Sequence, residues 1–214
     1  MRILNLYAGI GGNRALWGDE HEITAVENVP HIAEVYRKLW PNDTVVEANA
    51  HQYLLDHYKE FDFIWSSPPC QTHSRARYGL GFHGGKVEGV YPDMRLYQEI
   101  LFLKHHFDGR WVVENVQAYY KPLIHPRPIG RHWYWSNFHI SKLKVPSLNL
   151  VASTTTSGKR LIRKTTEELQ EKLGVDLSPY DVANKRLLLR NCVEPEVGLH
   201  IFNCRDNLKQ EILL

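Results

Sequence analysis

Cysteine is scarce in this 214-residue chain. Only Cys70, Cys192 and Cys204 occur, an odd and widely spaced set that fits neither a disulfide framework nor a paired-thiolate metal site. Long hydrophobic runs are missing too. No stretch approaches the roughly eighteen consecutive apolar residues of a spanning helix, and residues 1–10 carry no apolar run behind a basic stretch. The expectation is a cytoplasmic protein with no membrane partner. The twelve histidines show no ligand spacing, and His105 and His106 point to different faces of one helix, so no metal is expected. Carboxylates are absent from residues 127–166, where eight Lys or Arg stand with no Asp or Glu. The net charge of +2 implies no anionic partner by itself. The one-signed stretch can lie along phosphates, or can be a solvated basic loop.

What is present is ordinary globular composition, 43% hydrophobic and 23% charged, long enough for one core. Residues 2–7 alternate as a strand and run into Ala8-Gly9-Ile10-Gly11-Gly12, after which residues 13–17 read as the start of a helix. A second strand over 23–26 ends at Glu27, and Pro30 opens a helix to residue 40. Residues 45–46 suggest a third strand, 52–59 a helix, and 61–65 a fourth strand that runs into Pro68-Pro69-Cys70. Five glycines over 78–91 read as a mobile loop, 94–107 as a helix, and 110–113 as a fifth strand ending at Glu114-Asn115. Residues 131–140 are expected as a strand or hairpin, 153–157 as a loop, and 165–174 and 193–202 as helices. Such alternation implies an α/β fold: a mostly parallel, Rossmann-like sheet with helices on both faces and ligands at the carboxyl ends of its strands.

Chemistry concentrates at those ends. The glycine turn lets backbone amides approach a ligand, and Glu27, at the end of the next strand, can accept from ribose hydroxyls; nicotinamide and flavin enzymes share this pattern. Two prolines fix the backbone before Cys70, and the polar sequence after it does not suit a buried apolar thiol. His73, Arg75 and Arg77 are candidates for the positive field that would favour a thiolate. Adjacent fourth and fifth strands bring Glu114 opposite Cys70, pairing a nucleophile with a proton donor or acceptor.

Together these residues resemble the cytosine-5 DNA methyltransferase family. Leu6-Tyr7-Ala8-Gly9-Ile10-Gly11-Gly12 is similar to its first motif, Glu27-Asn28 to its ribose site, Pro68-Pro69-Cys70-Gln71 to its catalytic loop and Glu114-Asn115-Val116 to its glutamate motif. Arg131-His132-Trp133-Tyr134-Trp135-Ser136-Asn137 resembles its arginine strand, and Arg190-Asn191-Cys192-Val193 its closing motif. The resemblance implies S-adenosyl-L-methionine as cofactor, held by Tyr7, Ala8, Gly9, Ile10, Gly11, Gly12, Glu27, Asn28, Asn49, Ala50, Pro69, Asn191 and Cys192. It implies Cys70 adding to carbon 6 of a flipped cytosine, Glu114 protonating ring nitrogen 3 and Arg131 binding the base carbonyl. DNA is the implied partner, ahead of tRNA; Gln71, Ser74, Arg77, His132, Lys159, Arg160, Arg163 and Lys164 are its expected contacts.

Three departures stand out. Asn49 replaces an acidic residue near the adenine, and His132 occupies one of two arginine positions. The third is the lack of room for a target-recognition domain. The expected division is a catalytic core over 1–140, a reduced basic recognition segment over 141–164 and closing helices over 165–214 within one domain. Low sequence specificity, or recognition by a separate subunit, follows. Such compactness suits a phage or bacterial modification system.

Overall fold

The computed structural model describes residues 1–79, 84–85, 88–145, 153–154, 160–161 and 165–207. The strands are β1 (Arg2–Leu6), β2 (Glu22–Val26), β3 (Thr44–Val46), β4 (Phe63–Ser66), β5 (Arg110–Val116), β6 (Arg127–Ile129) and β7 (His132–Ser136), with β8 (Ser153–Thr154) and β9 (Arg160–Leu161) as a separate two-stranded ribbon. The helices are α1 (Pro30–Leu39), α2 (Ala50–His57), α3 (Arg95–His106), α4 (Thr166–Leu173), α5 (Lys185–Asn191) and α6 (Pro195–Asn203). The main sheet runs β3-β2-β1-β4-β5-β7-β6. Strands β1 to β5 are parallel, whereas β7 is antiparallel to both β5 and β6. The strand order reverses between β1 and β4, the place where an open α/β sheet leaves a crevice at its carboxyl edge.

Alternation along each strand sends side chains to two cores. Ile3, Phe63, Trp65 and Tyr134 meet Val197, Ile201 and Phe202 of α6 on one face. Leu4, Leu6, Ile64 and Val113 meet Leu54 of α2 and Leu96, Ile100 and Leu103 of α3 on the other. The α/β expectation holds, with helices on both faces. A Thr165 capping box starts α4, and Gly174, in the left-handed region, closes it, as the Thr-Thr-Glu-Glu sequence predicts.

The helix expected over residues 13–17 does not form; that segment is a succession of turns. Its polar side chains are taken by distant partners instead. Asn13 donates to Asn5 at 2.9 Å, and Arg14 makes two 2.8 Å bonds to the buried Asp43. Trp17 stacks on Phe202. Strand β6, helix α5 and the β8–β9 ribbon have no counterpart in the sequence reading.

Candidate active site

Register alone brings the two candidate catalytic residues together. Ser66 pairs with Val113 across β4 and β5, so Cys70 and Glu114 leave the sheet at the same edge. The Asn115 side chain fixes the junction: its Nδ2 donates to the Pro68 carbonyl at 2.9 Å, and its Oδ1 accepts from the Val116 amide at 3.0 Å. This buried cross-brace was not singled out in the sequence, although its place beside Glu114 is the signal for it. Cys70, Glu114, Arg131 and His132 then share one cavity with Tyr7, Ala8, Gly9, Ile10, Gly12, Glu27 and Asn28, and with Asn191 and Cys192. It encloses about 1110 Å³ of atom-free space, partly open to solvent.

On the β1–β2 side, Glu27 organises the glycine turn. Its two oxygens accept from the Gly9 and Val29 amides, both at 3.0 Å. A Cβ on Gly9 would meet nothing within 4 Å, so the backbone is open to a ligand there. Tyr7 is anchored behind the turn, its hydroxyl donating to Glu99 at 2.6 Å. Glu99 also accepts from Ser66 and lies 2.8 Å from His51 Nδ1, a buried polar knot that the sequence reading missed. A carboxylate set among Leu96, Ile100 and Leu103 is the signal for it.

Three residues expected at the cofactor do not line this cavity. Gly11 does not line the cavity; it packs against α1, where an added Cβ would fall 2.3 Å from Trp40 Nε1. With φ at +79° as well, Gly11→Ala is expected to cost about 2 kcal/mol or more, read as a lower denaturant midpoint. Asn49 is the N-cap of α2, accepting from the Gln52 amide at 3.1 Å, and Ala50 is buried in the core; neither reaches the cavity. The short β3 delivers both to the helix start.

The field around Cys70 also differs from expectation. His73 is buried against Tyr120, 2.6 Å from its hydroxyl, and burial lowers its pKa, which keeps it neutral. Arg75 donates to the Ala118 carbonyl and Arg77 to that of Glu88. The cation felt at Cys70 is Arg131. Burial and the Glu114 charge outweigh it, pushing the thiol up to about 11, so the resting form is the protonated one. Burial likewise raises Glu114 to about 7, although a Ser67 hydrogen bond and Arg131 oppose the shift.

Arg131 carries a second task. Its Nη2 donates to the carbonyls of Arg190 (2.7 Å) and Cys192 (3.0 Å), clamping the segment before α6 onto the cavity. His132 is 4% exposed, with Nε2 3.6 Å from Glu114 Oε1, and burial drives its pKa well down. It lines the cavity beside Glu114. Cys192 lines the cavity as a protonated thiol, pushed up to about 12 by burial. Pro69 and Gln71 line the cavity, whereas Ser74 and Arg77 line a smaller neighbouring depression. Lys159, Arg163 and Lys164 lie outside the described residues, as does the Arg160 side chain.

The sheet order, its reversed β7 and the glycine-turn cavity define the Rossmann-like methyltransferase fold. An Entamoeba histolytica methyltransferase has this fold at a TM-score of 0.56, covering 96% of this chain and 97% of its own at 9% identity. The family described as C-5 cytosine-specific DNA methylase matches residues 1–118, and the chain belongs to it. A tRNA (cytosine(38)-C(5))-methyltransferase of Spodoptera frugiperda is 35% identical over 80 residues, 35% of this chain and 24% of that protein. A solved structure of DNMT2 from the same organism is 27% identical, with a TM-score of 0.39, over 54% of this chain and 35% of its own. The match therefore spans about a quarter of the curated relative's length.

Family membership makes S-adenosylmethionine the cofactor, and the residues fit it. Open backbone at Gly9, spare lone pairs on Glu27 and the apolar Ile32 and Leu188 offer what an amino-acid tail, a ribose and a flat base each need. No helix among the described residues is long and apolar enough to cross a membrane, and none of them form a group that could hold a metal.

Proposed function

We propose that the chain methylates carbon 5 of cytosine in DNA, with Cys70 as nucleophile and Glu114 as proton donor. The observation that carries this reading is their position in one cavity continuous with the Gly9–Glu27 cofactor side. Cytosine carbon 5 is a poor nucleophile. Once its proton is lost to solvent, the Cys70 sulfur forms a bond to carbon 6, and the Glu114 proton moves to ring nitrogen 3 so that no negative charge accumulates on the ring. Carbon 5 is then enamine-like. The bound cofactor would supply the electrophilic methyl group that carbon 5 takes up; the proton on carbon 5 is then lost to water, the sulfur departs as thiolate, and ring nitrogen 3 returns its proton to the Glu114 carboxylate. Arg131 adds a positive charge beside both groups.

The domain assignment is part of the same proposal. Residues 1–140 and 165–214 form the catalytic unit, supported by α6 sharing a core with β1 and β4. The basic 141–164 segment serves as a reduced recognition element that tracks phosphates. Reversing the charge of Lys159, Arg160, Arg163 and Lys164 is expected to weaken DNA binding about tenfold or more and flatten its salt dependence. Unchanged affinity and slope would remove the segment from the interface. A tRNA substrate is the second reading, favoured by the name of the Spodoptera relative. Methyl transfer by the purified chain to DNA beside tRNA separates the two, and bisulfite sequencing of DNA from expressing cells, against Cys70→Ala, reports base and context.

A further inference from the structure

A second depression, which shares no residue with the Cys70 cavity, lies on the loop between β5 and β6 and encloses about 880 Å³ of atom-free space. Its floor is the half-buried Trp133 and its walls include Pro122, Pro126 and Pro128, with Lys121, Leu123 and His125 at the rim. The loop is held from below. Ile124 is buried and its carbonyl accepts from Trp135 Nε1 at 2.9 Å, while the Leu123 amide donates to the Tyr97 hydroxyl at 3.3 Å. Alternation about Ile124 therefore turns Leu123 and His125 outward, and Leu123 is 61% exposed. An exposed leucine over an accessible indole is an unusual surface to leave bare. Three prolines and two anchoring hydrogen bonds also mean that little conformational freedom remains to be lost on binding.

The charge of this edge narrows the occupant. Among the described residues, the rim side chains of Lys121 and His125 have no hydrogen-bond or ion-pair partner. A Cβ on Gly130 would meet Val145 at 3.6 Å, so the chain that carries Lys142 and Lys144 passes the β6–β7 turn at the same edge. A flat aromatic floor beside an unpaired lysine matches a base and its phosphate better than it matches an apolar protein surface.

We propose that this depression binds an unpaired nucleotide of the nucleic acid on which the protein acts, its base against Trp133 and its phosphate beside Lys121. The site rests on the nucleic-acid reading above but uses none of the Cys70 chemistry. It gives a chain with little room for a recognition domain a grip on a strand beyond the target base.

The test is equilibrium binding of a short fluorescent unpaired oligonucleotide, as DNA and as RNA, to the Cys70→Ala chain, in which turnover plays no part. Lys121→Glu is expected to lower affinity about fivefold or more. The slope of log affinity against log salt should fall by about 0.7, the value for one phosphate of a single strand. Trp133→Leu is expected to weaken binding roughly tenfold, and Leu123→Asp, at an exposed position that does not threaten folding, several-fold. Wild-type affinity and salt slope in these variants would overturn the site and leave the catalytic reading standing. An acidic peptide of equal charge that competes as well as the oligonucleotide would also overturn it, by assigning the surface to a protein.

Discussion

Replacing Cys70 by alanine is expected to abolish methyl transfer, with a fall of about 10⁴-fold or more, while leaving cofactor affinity within about twofold. No other described nucleophile is placed to substitute. The Cys192 thiol lines the same cavity, but its Sγ is turned toward the Leu188 carbonyl at 3.4 Å, and burial holds it protonated up to about 12. Cofactor binding should survive because the contacts that shape its side belong to Gly9, Glu27 and the segment before α6, none of which leans on the Cys70 sulfur. A step that needs no cofactor sharpens the test. Addition of Cys70 to carbon 6 loosens the proton on carbon 5, so tritium placed there should wash out into water with the parent chain and stay with Cys70→Ala. Washout that persists in the variant would move the nucleophile elsewhere.

Cys70 and Glu114 were legible in the sequence because their placement depends on strand ends, and strand ends are local signals. Pro68-Pro69 stops β4 and Glu114 sits within the strongly apolar β5; pairing of adjacent parallel strands does the rest. Residues whose roles depend on distant partners were not legible. Gly11 has the look of a ligand-approach glycine, yet Trp40 of the α1 C-cap needs its missing side chain. Residues 13–17 have no helix breaker of their own. They lose their helix to Asn5, Asp43 and Phe202, residues as far as 185 positions away in the chain, which a local propensity does not see. The activating field failed for a related reason. His73 and Arg75 stand close to Cys70 in sequence, but the turn that follows Cys70 carries them to Tyr120 and Ala118, and the nearby charge comes from Arg131 in the distant turn between β6 and β7.

That exchange of partners changes how the site is expected to work. A thiol raised to about 11 is almost wholly protonated at neutral pH, and the ionised Glu114 is one cause of the rise. Protonating Glu114 removes that repulsion and at the same time creates the donor that ring nitrogen 3 requires. The active pairing, thiolate with carboxylic acid, is thus a minority form whose two halves favour each other. Neutral His132, where the family's pattern places a second arginine, is consistent with this arrangement, because a permanent cation 3.6 Å from Glu114 would hold it as the carboxylate.

Glu114→Gln is accordingly expected to gain stability and lose activity. The Glu114 carboxyl, at about 7 in the folded protein against an ordinary value near 4.5, binds its proton more tightly when folded. Below about 4.5 both states are protonated and nothing is lost. As pH rises toward 7 the unfolded chain releases a proton that the folded one keeps, and stability falls by on the order of 3 kcal/mol before levelling off. Glutamine has no proton to lose, so the variant should match the parent near pH 4 and exceed it at pH 8 by up to that amount in denaturant titrations. Activity moves the other way, down by about 10²- to 10⁴-fold, because an amide cannot protonate ring nitrogen 3. The pH profile separates this role from a packing role. In the parent, kcat/KM should rise about tenfold per pH unit up to about 7 as thiolate forms, then run level as the gain in thiolate is cancelled by the loss of acid. In Glu114→Gln the residual rate should keep climbing through 7, since no acid is left to titrate. A variant whose profile still turned level at 7 would assign that bend to another group and remove Glu114 as the proton donor.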